Sequence, residues 1–104
     1  MLISVTLNRQ RTGYIYRYSY NNKSYIGCTT DIEKRKEDHK TNATYKFGRA
    51  IKEIGYDNFQ FEVLDKIKFN DWNELYDVED EYIIKSGSIN NGYNTRRNNK
   101  YIHI

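Results

Sequence analysis

Residues 13 to 28 alternate with a period of two, and helical spacing takes over afterwards. From Gly13 to Ser19, tyrosines occupy every second place (Tyr14, Tyr16, Tyr18), and Tyr20 continues the series. That is the period of a strand. Asn21-Asn22 interrupts it and Ser24 to Cys28 resumes it, so the two runs predict a β-hairpin around an Asn pair. Thr30-Asp31-Ile32-Glu33 sets a hydroxyl three residues ahead of a glutamate, the pattern of a capping box, and predicts a helix from Thr30 to about Asn42. A second helix starts at Asn42 or Thr44; its apolar positions are Tyr45, Phe47, Ala50, Ile51 and Ile54, and Gly55 is placed to end it. Phe59 to Val63 alternates again and predicts a third strand. A third helix begins at Asn70 or Asp71 and runs to about Lys85, with Gly87 beyond its end. Asn90-Asn91-Gly92 reads as a turn, and Tyr93 to Ile104 as a tail. Hairpin, two helices, strand and helix in that order predict an α+β fold: a small three-stranded antiparallel sheet flanked by helices.

Helical phase exposes two anomalies. In the first helix Ile32 marks the inward face, and at 3.6 residues per turn Arg35, Lys36 and His39 share it. A cation and an imidazole turned towards the body either pair with carboxylates or line a site. In the third helix Trp72, Leu75, Tyr76, Tyr82 and Ile83 form an apolar stripe with Glu79 in its middle. A carboxylate there is costly unless it is paired, hydrogen-bonded or bound to a metal ion. Asp77, Asp80 and Glu81 fall off the stripe and are expected in solvent. The alternating tyrosines are good strand chemistry in themselves; they are also the kind of surface on which unpaired bases stack.

Composition narrows the classes. The 104 residues suffice for one small domain, residues 1–104 taken together, with a core over about 13–94 and a basic tail over 95–104. Eleven tyrosines give a core whose polar tips need hydrogen-bond partners. The single Cys28 allows no internal disulfide and offers no second thiol for a zinc site. No signal-peptide pattern or spanning run of apolar residues occurs, so the expectation is a soluble intracellular protein, cytoplasmic or nuclear, without a membrane partner. The net charge of +3 is unevenly spread. Residues 1–52 carry eleven Lys/Arg against four Asp/Glu, and residues 53–104 carry six against ten. A basic half attracts a polyanion. His103 stands in the tail without companions.

Taken in order, Ile15-Tyr16, Tyr25-Ile26-Gly27, Arg35 with His39, Glu79 and Gly92-Tyr93-Asn94 resemble the motifs of the GIY-YIG nucleases. This family includes homing endonucleases and phage and viral nucleases. Tyr25-Ile26-Gly27 repeats the second name motif letter for letter, and Arg35 and His39 follow at the family's gaps. The first motif departs: Gly13-Tyr14-Ile15-Tyr16 lacks a literal Gly-Ile-Tyr. Aligned on Ile-Tyr, Tyr16 takes the catalytic place; aligned on Gly13, Tyr14 does. The first alignment is preferred because Ile15 keeps the motif's hydrophobic middle and the hairpin stays short.

The resemblance implies an endonuclease that hydrolyses DNA phosphodiester bonds to 5′-phosphate and 3′-hydroxyl ends. Glu79 would hold one divalent ion, Mg²⁺ or Mn²⁺. Arg35 would hold the scissile phosphate, Tyr16 (or Tyr14) would act on the water with His39 taking the proton onward, and Tyr25 would bond the phosphate or the water. Gly27 and Asn94 would support the site. Arg96, Arg97 and Lys100 would contact phosphates, as would Arg9 and Arg11 at the other end. No separate specificity domain fits in this length, so a homodimer or a specificity partner is expected. The competing reading is a non-catalytic nucleic-acid-binding module of the same fold; a third is a structural protein with a buried polar network.

Overall fold

In the computed structural model, which describes residues 10–95, Arg11–Tyr20 (β1) and Lys23–Thr29 (β2) form the expected hairpin. Asn21 and Asn22 take the left-handed backbone conformation at φ 51° and 65°. This is the pair of positive angles that lets a two-residue turn match the twist of the strands, and Asn accepts it more readily than most residues. Gln60–Phe69 (β3) pairs antiparallel on the other side of β1, giving the order β2-β1-β3. The third strand runs well past the predicted Val63. It follows β1 back to the Arg11–Phe69 pair, with one irregularity opposite Ile15 and Tyr16. The α+β class and the three-stranded sheet are as expected.

Central β1 is covered on both faces. Ile15 packs with Ile26, Phe69, Leu75 and Ile83 on one side, whereas Tyr16 and Tyr18 pack with Phe47, Ile51 and Phe59 on the other. Ile32–Thr41 (α1) and Lys46–Ile54 (α2) lie over the tyrosine face. A single 3-10 turn, Tyr56–Asn58, leads into β3. Trp72–Ser86 (α3) covers the aliphatic face, and the short Ser88–Asn91 helix (α4) replaces the expected Asn90-Asn91-Gly92 turn. Tyr16 and Tyr18 are each 1% exposed, so the tyrosine face is core and offers no platform for bases. No helix of the described residues is long and apolar enough to cross a membrane.

The caps differ in detail from expectation. Helix α1 is capped by Asp31, not Thr30: Asp31 Oδ1 accepts from Lys34 N at 3.1 Å, and Thr29 Oγ1 braces Asp31 by accepting from its N–H at 3.0 Å. Neither Asn42 nor Thr44 caps α2. Asn42 Oδ1 accepts from Thr44 N and Thr44 Oγ1 within the connecting loop, and Tyr45 stands at the N-cap. At α3, Asp71 and Glu74 form a reciprocal capping box, and Gly87 closes the helix with φ 66°.

Asn94 finishes the sheet. Its Oδ1 accepts from Ile26 N at 2.8 Å and from Ser88 Oγ at 2.6 Å, while Nδ2 donates to Ile26 O at 2.9 Å. One amide side chain therefore does for the edge of β2 what a further strand would do. Tyr93 N adds a bond to Ser24 O at 2.8 Å. Gly92 allows the approach, since a Cβ there would overlap Ser24 O. The support role expected for Asn94 thus has a physical basis in three buried hydrogen bonds. Removing them by Asn94→Ala should lower unfolding free energy by about 2 kcal/mol in urea denaturation. A loss under about 0.5 kcal/mol would show water replacing the amide at no cost.

Candidate active site

An open cleft of about 500 Å³ runs along the outer edge of β2, between the α1/α2 layer and the α3 layer. Alternation along β2 turns Tyr25 towards the α1/α2 layer and Cys28 towards the α3 layer. Both still reach the cleft because β2 is an edge strand. Arg35 enters from α1 and Glu79 from α3, and both line the cleft, as does Asn94. Side chains 44 positions apart in sequence thereby share one space.

Behind Arg35 lies a chain of hydrogen bonds. Arg35 Nε donates to the Tyr16 oxygen at 3.4 Å, and that oxygen is 2.7 Å from His39 Nε2. His39 Nδ1 bonds the Tyr45 hydroxyl. Arginine only donates, so the Tyr16 oxygen accepts from Arg35. The neutral imidazole donates at one ring nitrogen and accepts at the other, so Tyr16 and Tyr45 play opposite parts towards it.

His39 is 2% exposed, with the rings of Tyr18, Tyr25 and Phe47 centred 5.2–5.5 Å away. Burial lowers its pKa to about 4, and the Arg35 charge adds to the effect, so the imidazole is neutral at pH 7. Burial and Tyr25 raise the Tyr16 pKa well above that of a free phenol; Arg35 pulls it back down and Glu79 opposes Arg35. Burial likewise lifts Tyr25 to about 12, against the lowering effect of Arg35. Cys28 is pushed upward by burial and then by the nearby Glu79 carboxylate.

The expected residues divide as follows. Tyr25, Arg35, Glu79 and Asn94 line the cleft, whereas Tyr16 and His39 sit one layer behind it. Gly27 lies under the Tyr16 ring, which a Cβ at that position would overlap. Between the two alignments of the first motif, Tyr16 is the phenol in the hydrogen-bonded chain; Tyr14 pairs in the sheet with Thr29 and Lys66 and is not among the residues that line the cleft. Arg9, Arg96, Arg97, Lys100 and His103 lie outside the described residues. Lys36, on the inward face of α1, places its Nζ over the Phe61 ring at 4.4 Å.

The phase of α3 needs correction. Asp80, expected in solvent, is 3% exposed, and Trp72, expected in the stripe, is 39% exposed. Trp72 turns into the cleft instead of the core, so the buried line is centred nearer Asp80 than the apolar residues alone indicate. Sequence reasoning also missed Tyr45, taken as an apolar helix position, and the place of Cys28 in the cleft wall. Cys28 is placed by the approach of α3 across the fold, and the contact of Tyr45 with His39, six residues away, is set by how the loop between α1 and α2 folds back. Among the described residues no group of three or more His, Cys, Asp or Glu is arranged to hold a metal ion, and Glu79 is the acidic side chain of the cleft wall.

Residues 12–94 match the GIY-YIG catalytic domain family. Uncharacterized protein 019R of Invertebrate iridescent virus 6 is 37% identical over 93 residues, which is 81% of this chain and 33% of that protein. The chain therefore spans about a third of the length of that relative. Among solved structures, a mutant of the catalytic domain of intron endonuclease I-TevI is similar with a TM-score of 0.69 and 24% identity, covering 84% of this chain and 96% of that one. That likeness is one of fold.

The buried imidazole makes stability depend on pH. In the unfolded chain His39 takes up a proton near pH 6.5, in the fold only near pH 4. Its contribution is complete above about pH 6.5 and is lost as pH falls towards about 4, on the order of 3 kcal/mol in all. Urea midpoints between pH 7.5 and 4.5 should fall steeply for the native protein and less for His39→Gln. Equal slopes would mean the imidazole is not held neutral.

Proposed function

Because the chain belongs to the GIY-YIG catalytic-domain family, we propose that it is a DNA endonuclease that hydrolyses phosphodiester bonds to 5′-phosphate and 3′-hydroxyl ends with one divalent ion. The observation that carries this reading is the meeting of Arg35 and Glu79 in one cleft, a cation for a phosphate and a carboxylate for a metal ion.

The donor set suits Mg²⁺ or Mn²⁺. Glu79 is a hard oxygen donor in an open cleft of about 500 Å³, which leaves space for water and a substrate phosphate as further ligands. The neighbouring Cys28 thiol is held protonated by burial and by Glu79, which disfavours a softer ion. When bound, the ion supplies positive charge that stabilises the leaving oxygen.

The remaining work falls to the chain's own side chains. Arg35 binds the scissile phosphate through its N–H fork. Tyr25, on the cleft wall, bonds the phosphate or the attacking water. Tyr16 takes a proton from that water as its own passes to His39 Nε2, along the 2.7 Å hydrogen bond already present. Arg35 beside the phenol oxygen favours its ionised form, against the burial that opposes it. Engaging the phosphate draws the guanidinium outward and opens the phenol to the cleft. A neutral His39 is ready to receive; its pKa of about 4 makes it a point of transfer, with Tyr45 beyond it. Tyr14 has no part in this path. Arg96, Arg97 and Lys100 contact flanking phosphates in this reading.

One site per chain gives one strand cut per encounter, so double-strand cleavage takes a second visit, a second copy or a partner. In this reading the protein works in the cytoplasm or nucleus. The alternative, a binding module without catalysis, gains nothing from a carboxylate facing a polyanion.

Glu79→Gln should abolish Mg²⁺-dependent nicking of supercoiled plasmid while DNA still binds in a gel-shift assay; undiminished nicking would remove the metal assignment. Tyr16→Phe should slow single-turnover cleavage by roughly 10²- to 10⁴-fold. Tyr14→Phe should leave the rate near that of the native protein, and the opposite order would transfer the role to Tyr14.

A further inference from the structure

Trp72 is the only tryptophan of the chain and is 39% exposed. It opens α3 and lines the same cleft as Arg35 and Glu79. One helical turn on, Tyr76 stacks with it at 6.1 Å between centroids and 26° between planes, and Phe69 packs beside it at 5.0 Å. The Arg11 guanidinium lies 5.3 Å from the indole centroid. The Trp72 ring is thus packed by Tyr76 and Phe69, and the Arg11 guanidinium lies over it. Its exposed part borders the cleft, whereas Phe69 and Leu75, its neighbours in the aliphatic layer, are 1% and 0% exposed.

We propose that Trp72 is a stacking platform for an unpaired nucleobase of the DNA substrate, which takes the place of the Arg11 guanidinium over the indole as Arg11 moves to an adjoining phosphate. The proposal rests on the DNA-cleaving reading and names its substrate class: DNA single-stranded beside the cut, as in a flap, bubble or branch. Bases inside a duplex have both faces covered by their neighbours, whereas an unpaired base offers a free face to an indole. The buried tyrosines of β1 cannot supply this surface, so the cleft aromatics are the ones placed to do so.

The single tryptophan makes the contact directly observable. The full chain carrying Glu79→Gln, without metal ion, is titrated with oligo-dT, with an abasic oligonucleotide of equal length, and with duplexes with and without a single-stranded flap. Oligo-dT should quench the tryptophan fluorescence, and the abasic strand, with the same phosphates, should not. Trp72→Ala should weaken binding of oligo-dT by roughly 10- to 100-fold and reduce the preference for flapped over blunt duplex. Trp72→Phe should restore most of both. Equal quenching by the two strands, or an equal loss on flapped and blunt duplex, overturns the proposal. Should Trp72→Ala fail to fold by circular dichroism, the quenching and the Trp72→Phe arms still decide. No cleavage is read, so failure here leaves the endonuclease reading standing, and that reading fails separately in the plasmid assay.

Discussion

The packing around α1 depends on one neutral imidazole bonded at both nitrogens. The exposed sides of α1 carry charged residues whose ion pairs, at 3.2–4.0 Å, are solvent-exposed and contribute little. What docks the helix is His39, which reaches Tyr16 on the central strand and Tyr45 at the start of α2, inside a shell of aromatic rings. A buried polar group with both bonds made is tolerated; with one broken it carries the desolvation penalty of the orphaned nitrogen. The hydrogen-bonded chain therefore joins three elements and sets the phase of α1. Arg35, one turn earlier on the same face, is carried to the cleft as a consequence.

The second constraint is the position of β2 at the sheet edge. In an interior strand, residues on opposite faces are separated by the sheet. At the edge they meet. Tyr25 from one face and Cys28 from the other border the same cleft, and Arg35 and Glu79 approach it from opposite layers. An open edge also invites unwanted pairing. Asn94 covers the stretch around Ile26 and leaves the region near Cys28 to the cleft. Gly27 completes the arrangement by omission: without a side chain it lets the Tyr16 ring lie against β2.

Electrostatics within the site pull in opposite directions. Burial holds the Tyr16 phenol and the His39 imidazole neutral, while Arg35 favours ionised phenol and neutral histidine alike. The cation thus favours a proton leaving the phenol but opposes its arrival on His39, and desolvation also resists the charge separation that would follow. A substrate phosphate entering beside Arg35 alters that balance, since it draws on the same guanidinium.

Much of this was legible from spacing. Alternating tyrosines and an Asn pair specified the hairpin, Asn70 or Asp71 and Gly87 bounded α3, and helical phase put His39 and Arg35 inward, because these features depend on neighbours a few residues away. The period of a helix says which residues share a face but not what that face meets. Hence Trp72 was assigned to the core and Asp80 to solvent, although the first opens into a cleft and the second is buried. Likewise the cap of α1 moved to Asp31 because the Thr29 hydroxyl braces it. Sequence by itself determined the fold class and nominated Tyr16, Arg35, His39 and Glu79. Only the tertiary structure set the Tyr16 phenol beside His39 and recruited Tyr45 to the chain. The first contact joins residues 23 apart and the second depends on how the loop between α1 and α2 folds back, and neither distance is encoded by a local period.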